Sequence, residues 1–133
     1  MEFSFFMVID GDQITTLYST RGVPELLMQF PYLYNFNGDW VGWITEDKKV
    51  FSVLGMYVGY ISPDFRILRN RYTSEDISTQ TPPPRPSKRI LPPATLPLAP
   101  MMSELMYTTV DVLQEEPERL HTLDTGELRQ DLD

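Results

Sequence analysis

The chain reads as an all-β protein, four short repeated hairpins followed by an extended, proline-rich tail. Three observations predict this. Fifteen of the 16 aromatic residues and six of the seven glycines lie in residues 1–72, whereas nine of the 12 prolines lie beyond residue 80. Such aromatic, β-branched and glycine content suits a packed β domain, and the remainder has too little apolar surface to bury much alone. The chain also matches itself at an offset of 17 residues. Within that repeat, glycine returns at two fixed places.

The repeat is clearest where Leu33-Tyr34-Asn35-Phe36-Asn37-Gly38-Asp39-Trp40-Val41-Gly42-Trp43-Ile44 lies over Val50-Phe51-Ser52-Val53-Leu54-Gly55-Met56-Tyr57-Val58-Gly59-Tyr60-Ile61. Four of 12 positions are identical and three more pair aromatic with aromatic. Weaker copies begin at Leu17-Tyr18, which ends on Gly22, and at Ile67-Leu68, so first strands start near 17, 33, 50 and 67. Each unit is a strand, a turn at Asn37-Gly38 or Leu54-Gly55, and a returning strand. Glycine there supplies the positive φ of a two-residue primed turn, and because Leu54 is a poorer partner than Asn37 the second hairpin is open to a different turn or a bulge. Gly42 and Gly59 fall inside the returning strand, where glycine marks a bulge, a bend or a close backbone approach.

The ends of the series depart from the pattern. Residues 23–28 have no inner glycine and contain Pro24, which cannot donate to a ladder, so that copy reads as an edge or as partly helical. The fourth unit lacks its returning strand. The apolar run 3–9 lacks a preceding partner and is expected to close the ring against residues 67–72, removing exposed edges. Asp10-Gly11 also suits a hairpin turn between that run and Ile14 onward.

The aliphatic-aromatic-x-x-x-Gly-x-aromatic-Val-Gly-aromatic-Ile units of residues 33–44 and 50–61 resemble those of the bacterial four-fold β-flower domain. The resemblance covers residues 1–72 and implies hairpin petals around a pseudo-four-fold axis. It implies a bacterial or phage origin and no catalytic residues. The proline-rich tail is similar to tails that follow this domain in some members.

Composition narrows function. With 11 Lys+Arg against 19 Asp+Glu, the net charge of −8 repels phosphate backbones, so nucleic acid is not an expected partner. The absence of Cys removes thiolate nucleophiles, disulfides and Cys-based metal sites. His121, the only histidine, lies in the tail, so a Ser-His-Asp triad or His metal site within the β domain is excluded. Asp10-Gly11-Asp12 lacks the further oxygen ligands of a calcium loop. Glu46-Asp47 beside Lys48-Lys49 is a solvated turn, and nothing brings Glu25, Asp39 or Asp64 together as a carboxylate pair. No enzyme, cofactor or metal is expected. No run approaches the roughly 18 apolar residues of a membrane helix, and residues 1–10 lack the basic start and small-residue cleavage site of a signal peptide. The expectation is a cytoplasmic protein without a membrane partner.

Three segments follow: residues 1–75 as the β domain, 76–100 as a proline-rich linker or docking segment, and 101–133 as an acidic segment that forms short helices or is disordered alone. Two surfaces compete as binding sites. Trp40, Trp43, Tyr57 and Tyr60 recur at fixed repeat positions, as core filling or as an aromatic platform for a protein or sugar. On a regular strand Trp40 and Trp43 face opposite sides, unless a bulge at Gly42 intervenes. In the tail, residues 81–89 suit polyproline II, and Ile90, Leu91, Leu96 and Leu98 interleave with proline as for docking along an apolar groove. Met102, Leu105, Met106 and Leu113 fit one side of a helix capped by Ser103, whereas Met106, Val110 and Val112 fit one face of a strand. Pro117 suits the first turn of a short helix. The sequence favours a non-enzymatic interaction or accessory protein that docks on a protein partner or on another copy, with ligand or glycan binding as the alternative.

Overall fold

The computed structural model describes residues 13–72, 77–87 and 89–123. These form one eight-stranded antiparallel sheet, curled into a half-barrel, with strands neighbouring one another in chain order. The strands are β1 (Thr15–Tyr18), β2 (Pro24–Gln29), β3 (Tyr32–Tyr34), β4 (Trp40–Ile44), β5 (Lys49–Ser52), β6 (Tyr57–Ile61), β7 (Ile67–Asn70) and β8 (Thr109–Asp111). A single helical turn, α1 (Val112–Glu115), and a 3-10 turn at Pro117–Arg119 follow. Pro117 thus opens a turn, where its missing N–H costs nothing.

The hairpins β1–β2, β3–β4 and β5–β6 share one turn. In each, the fourth loop residue donates to the first: Gly22 to Ser19, Gly38 to Asn35 and Gly55 to Ser52. Positive φ falls on the glycine alone, +85° at Gly38 and +87° at Gly55. This is a type I turn closed by a left-handed residue, which corrects the expected two-residue primed turn. A side chain makes the difference. The Asn35 carboxamide oxygen accepts from the N–H groups of Asn37 and Asp39, and the Ser52 hydroxyl accepts from Leu54 and Met56, holding the longer loop closed.

Each hairpin also carries a bulge. Leu33 pairs with Gly42 while Tyr34 pairs with Trp40, leaving Val41 as the extra residue, and Val58 is extra in β6 in the same way. Residues three apart on β4 therefore share a face. Val41 and Ile44 join the aliphatic core with Leu17, Leu33 and Val50, whereas Trp40 and Trp43 join Phe51 and Val53 in a second cluster. Gly42 permits the close neighbour expected of it: a Cβ there would lie 2.7 Å from the Phe51 carbonyl oxygen.

Three expectations change. β2 is neither edge nor helix, since it pairs with both β1 and β3, and Pro24 stands at its first residue, where a proline is tolerated. No helix forms over residues 103–108. Thr109–Asp111 is a strand and the helical turn begins only at Val112. The place beside β7 reserved for residues 3–9 is taken by β8, with Leu68 opposite Asp111 and Asn70 opposite Thr109. Residues 3–9 and the Asp10-Gly11 turn lie outside the described residues.

Candidate interaction surface

β7 receives its outer partner from far along the chain. Within residues 71–108 the described residues form no helix or strand. They run over the hairpin tips in reverse order. Gln80 donates to the Gly55 carbonyl at 2.9 Å, Arg89 bonds to the Asn37 carbonyl and ion-pairs with Asp39 at 3.1 Å, and Ala99 packs over Gly22. Backbone of Gln80 and Ile90 occupies the space a Cβ would need at Gly55 and Gly38, so these glycines serve both the turn and the crossing. Tyr32 and Tyr18 add hydroxyl bonds to the carbonyls of Pro84 and Pro97, at 2.6 and 2.7 Å.

A buried ionic junction then fixes the end of the strap. Arg66 is 1 % exposed. It donates to the Asp64 carboxylate from Nε at 3.0 Å and Nη2 at 2.5 Å, to the Thr20 hydroxyl at 3.0 Å and to the Ser103 carbonyl at 2.8 Å. Thr20 in turn donates its N–H (2.6 Å) and its hydroxyl (2.5 Å) to Asp111 of β8, whose other oxygen caps α1 at Gln114. A buried guanidinium is tolerable only when its donors are satisfied, and here they join the first hairpin tip, the β6–β7 loop and the tail. Burial works to raise the Asp64 pKa, but the bonds from Arg66, Ser62 and Ser103 outweigh it and hold the carboxyl below its ordinary range. On β7, Arg69 holds Glu116 at 2.5 and 2.7 Å, and just past its end Arg71 reaches Glu115 at 3.5 Å. The Arg69 hydrogen bonds, with help from Arg119, bring Glu116 down to about 2. Burial and the nearby Asp111 raise Glu25 instead.

Between these polar clamps the segment inserts apolar side chains. Val110 and Val112 are fully buried, and Val112, Leu113 and Leu120 belong to the aliphatic core. The remaining tail residues singled out by sequence stay outside that core. Ile90, Leu96, Met102 and Leu105 are half-buried, whereas Leu91, Leu98 and Met106 are exposed, Leu98 at 94 %.

The aromatic set is divided as well. Trp40 and Trp43 are each 8 % exposed, and Trp43 stacks on Phe51 at 4.9 Å, so this pair offers no open platform. Trp40 Nε1 donates to the Gly42 carbonyl at 2.7 Å, while Trp43 Nε1 is buried and has no hydrogen-bond partner among the described residues. Tyr57 is half-buried against Phe51, and only Tyr60 is exposed, at the mouth of a cleft of about 390 Å³ above Arg66 with Leu68, Met101 and Leu105. A second cleft of about 530 Å³ lies between Phe30, Tyr32 and Tyr34 and the strap's Arg85 and Arg89. His121 bonds locally to the Thr122 carbonyl. Among the described residues there is no cluster of three or more His, Asp or Glu that could hold a metal, and no helix long and apolar enough to cross a membrane.

No family model matches this chain, and no curated protein or solved structure does either.

The junction was missed in the sequence, although the repeat contained it. Thr45-x-Asp47-x-Lys49 recurs 17 residues later as Ser62-x-Asp64-x-Arg66, the signature of a local ion pair that can be buried once something covers it.

Proposed function

We propose that this chain is a non-enzymatic interaction protein whose β domain captures an extended peptide along β7, its own residues 109–120 being the resident occupant. One observation carries the reading. β8 completes the sheet by strand addition from beyond a long strap, with backbone pairing for affinity and Val112, Leu113 and Leu120 as anchors. Arg69 and Arg71 add charge selectivity for an acidic segment through Glu116 and Glu115. The three equivalent hairpin turns support the β-flower likeness, as part of the same proposal, and the scaffold or accessory role follows from it.

The test uses a labelled synthetic peptide of residues 105–120 and the full chain. Weakening the resident segment by Leu113→Ala frees the groove, so the variant is expected to bind the peptide at least tenfold more tightly than the parent. Failure of both proteins to bind it sinks the reading.

The second cleft favours a further reading, a small anionic ligand held between Phe30, Tyr32 and Tyr34 and the Arg85 guanidinium. Arg85→Ala should then abolish ligand quenching of tryptophan fluorescence, and unchanged quenching removes it.

A further inference from the structure

We infer that the C-terminal segment exchanges between copies of this chain, residues 109–120 of one molecule filling the groove beside β7 of a second and receiving the same contact in return. This rests on the strand-addition reading and names its partner.

The contacts made by residues 109–120 are directed at the β domain: β8 with β7, Asp111 with Thr20, Glu116 with Arg69, and Val112 and Leu113 with the aliphatic core. A second copy supplies all of them unchanged, so exchange sacrifices no interaction within the groove. The hinge is short and defined. Ser103 is tied to its own Asp64 and Arg66, and Arg71 donates to the Tyr107 carbonyl from its side chain and to the Thr108 carbonyl from its backbone ahead of β8, so residues 104–106 are the connection. In the closed form that connection turns back on itself, Thr109 donating to the Met106 carbonyl at 2.9 Å. Opened, these residues span at most about 11 Å, which sets two β domains side by side with their straps still in place.

The surface at this hinge indicates what lies beside it. Met106, Tyr107 and Tyr72 are each more than two-thirds exposed, at 74, 71 and 68 %. Tyr72 and Tyr107 sit 6.2 Å apart, and the Arg71 guanidinium lies 4.2 Å above the Tyr107 ring. In a two-fold exchanged dimer the two hinges run past each other there and cover one another's apolar side chains. A patch that is self-complementary about a two-fold axis fits a second copy. The closed form still wins in dilute solution, because the tethered segment acts at an effective concentration of the order of millimolar. Exchange therefore belongs to concentrated or co-folding chains.

The absence of cysteine gives a clean test. Asn70 and Thr109 are register partners across β7 and β8. Full-length Asn70→Cys and Thr109→Cys chains are unfolded together, refolded as a mixture, and oxidised. Exchange predicts a disulfide-linked heterodimer whose fraction, while minor, rises about tenfold when the refolding concentration rises tenfold. Asn70→Cys mixed with Leu98→Cys reports random collision. A heterodimer yield no greater than that control, while the double variant Asn70→Cys/Thr109→Cys closes within one chain, overturns exchange and leaves strand addition standing. Failure of the double variant to close overturns both.

Discussion

Residues 45–49 and 62–66 are the same loop used twice. In each, a hydroxyl side chain bonds the aspartate two residues on and accepts the N–H of the base four residues on. In each, a non-glycine residue takes a positive φ, 72° at Lys48 and 65° at Phe65. In each, aspartate and base form an ion pair, 2.6 Å for Asp47–Lys49 and 2.5 Å for Asp64–Arg66. Local chemistry is therefore matched, and the surroundings differ. The Asp47–Lys49 side chains are 63 and 42 % exposed, whereas those of Asp64 and Arg66 are 13 and 1 % exposed beneath Ser103 and Thr20. The strap, not the loop, turns a surface pair into a structural junction. It also explains the choice of base. Arg66 can serve Asp64, Thr20 and the Ser103 carbonyl together because it makes four hydrogen bonds from three nitrogens of a planar fork, whereas a lysine has three donors on a single nitrogen.

The same substitution made in both loops should have very different effects. Arg66→Met leaves Asp64 buried without its cation and should cost about 3–5 kcal/mol in urea denaturation. Lys49→Met, in water, should leave the unfolding midpoint in place. Equal effects would show that the strap does not desolvate the second pair. Next comes the core that the strap delivers. Leu113→Ala should cost about 2–4 kcal/mol, comparable with Leu33→Ala in the hairpin core. If Leu113→Ala merely speeds proteolysis near residue 113 without moving the global midpoint, then β8 opens independently of the hairpins.

Smaller effects test the crossings. Gly55→Ala and Gly38→Ala place a Cβ on a left-handed residue, for about 1–2 kcal/mol each. Each also pushes on the strap, so new protease cuts should appear near Gln80 in the first and near Ile90 in the second. The smallest effect concerns pH. Glu116 titrates near 2 in the folded chain against an ordinary 4.5, so its contribution is complete above about pH 4.5 and is lost as pH falls toward 2. The carboxylate is 23 % exposed and screened, so Glu116→Gln should lower stability by at most about 1 kcal/mol at pH 7. That gap between parent and variant should close by pH 2 in guanidinium titrations.

Much of the hairpin region was legible because its determinants are local. The 17-residue repeat located β3 to β6, and Gly38 and Gly55 located the tips. Gly42 and Gly59 marked a bulge, a bend or a close approach without deciding among them, and the partner of β7 escaped because it lies far along the chain. The bulges at Val41 and Val58 alter which residues share a face, and this moved Trp40 and Trp43 together into a buried cluster. The partner of β7 was also misread. Residues 3–9 looked like the missing strand by apolarity, while residues 109–111 carry only Val110 and the flanking polar Thr109 and Asp111. What selects β8 is the fit of Asp111 to Thr20 and of Glu116 to Arg69, and neither pairing leaves a periodic trace.

The long gap between β7 and β8 has a consequence in time. The hairpin tips link strands four or five residues apart and can zip within about 1–10 μs of being available. Residue 111, by contrast, is made 41 residues after residue 70, a delay of about 2–8 s at ribosomal speeds of 5–20 residues per second. Throughout that interval each nascent chain carries a sheet edge awaiting β8. On a crowded message, where successive ribosomes hold chains of different lengths close together, the first matching strand to arrive can come from the molecule ahead.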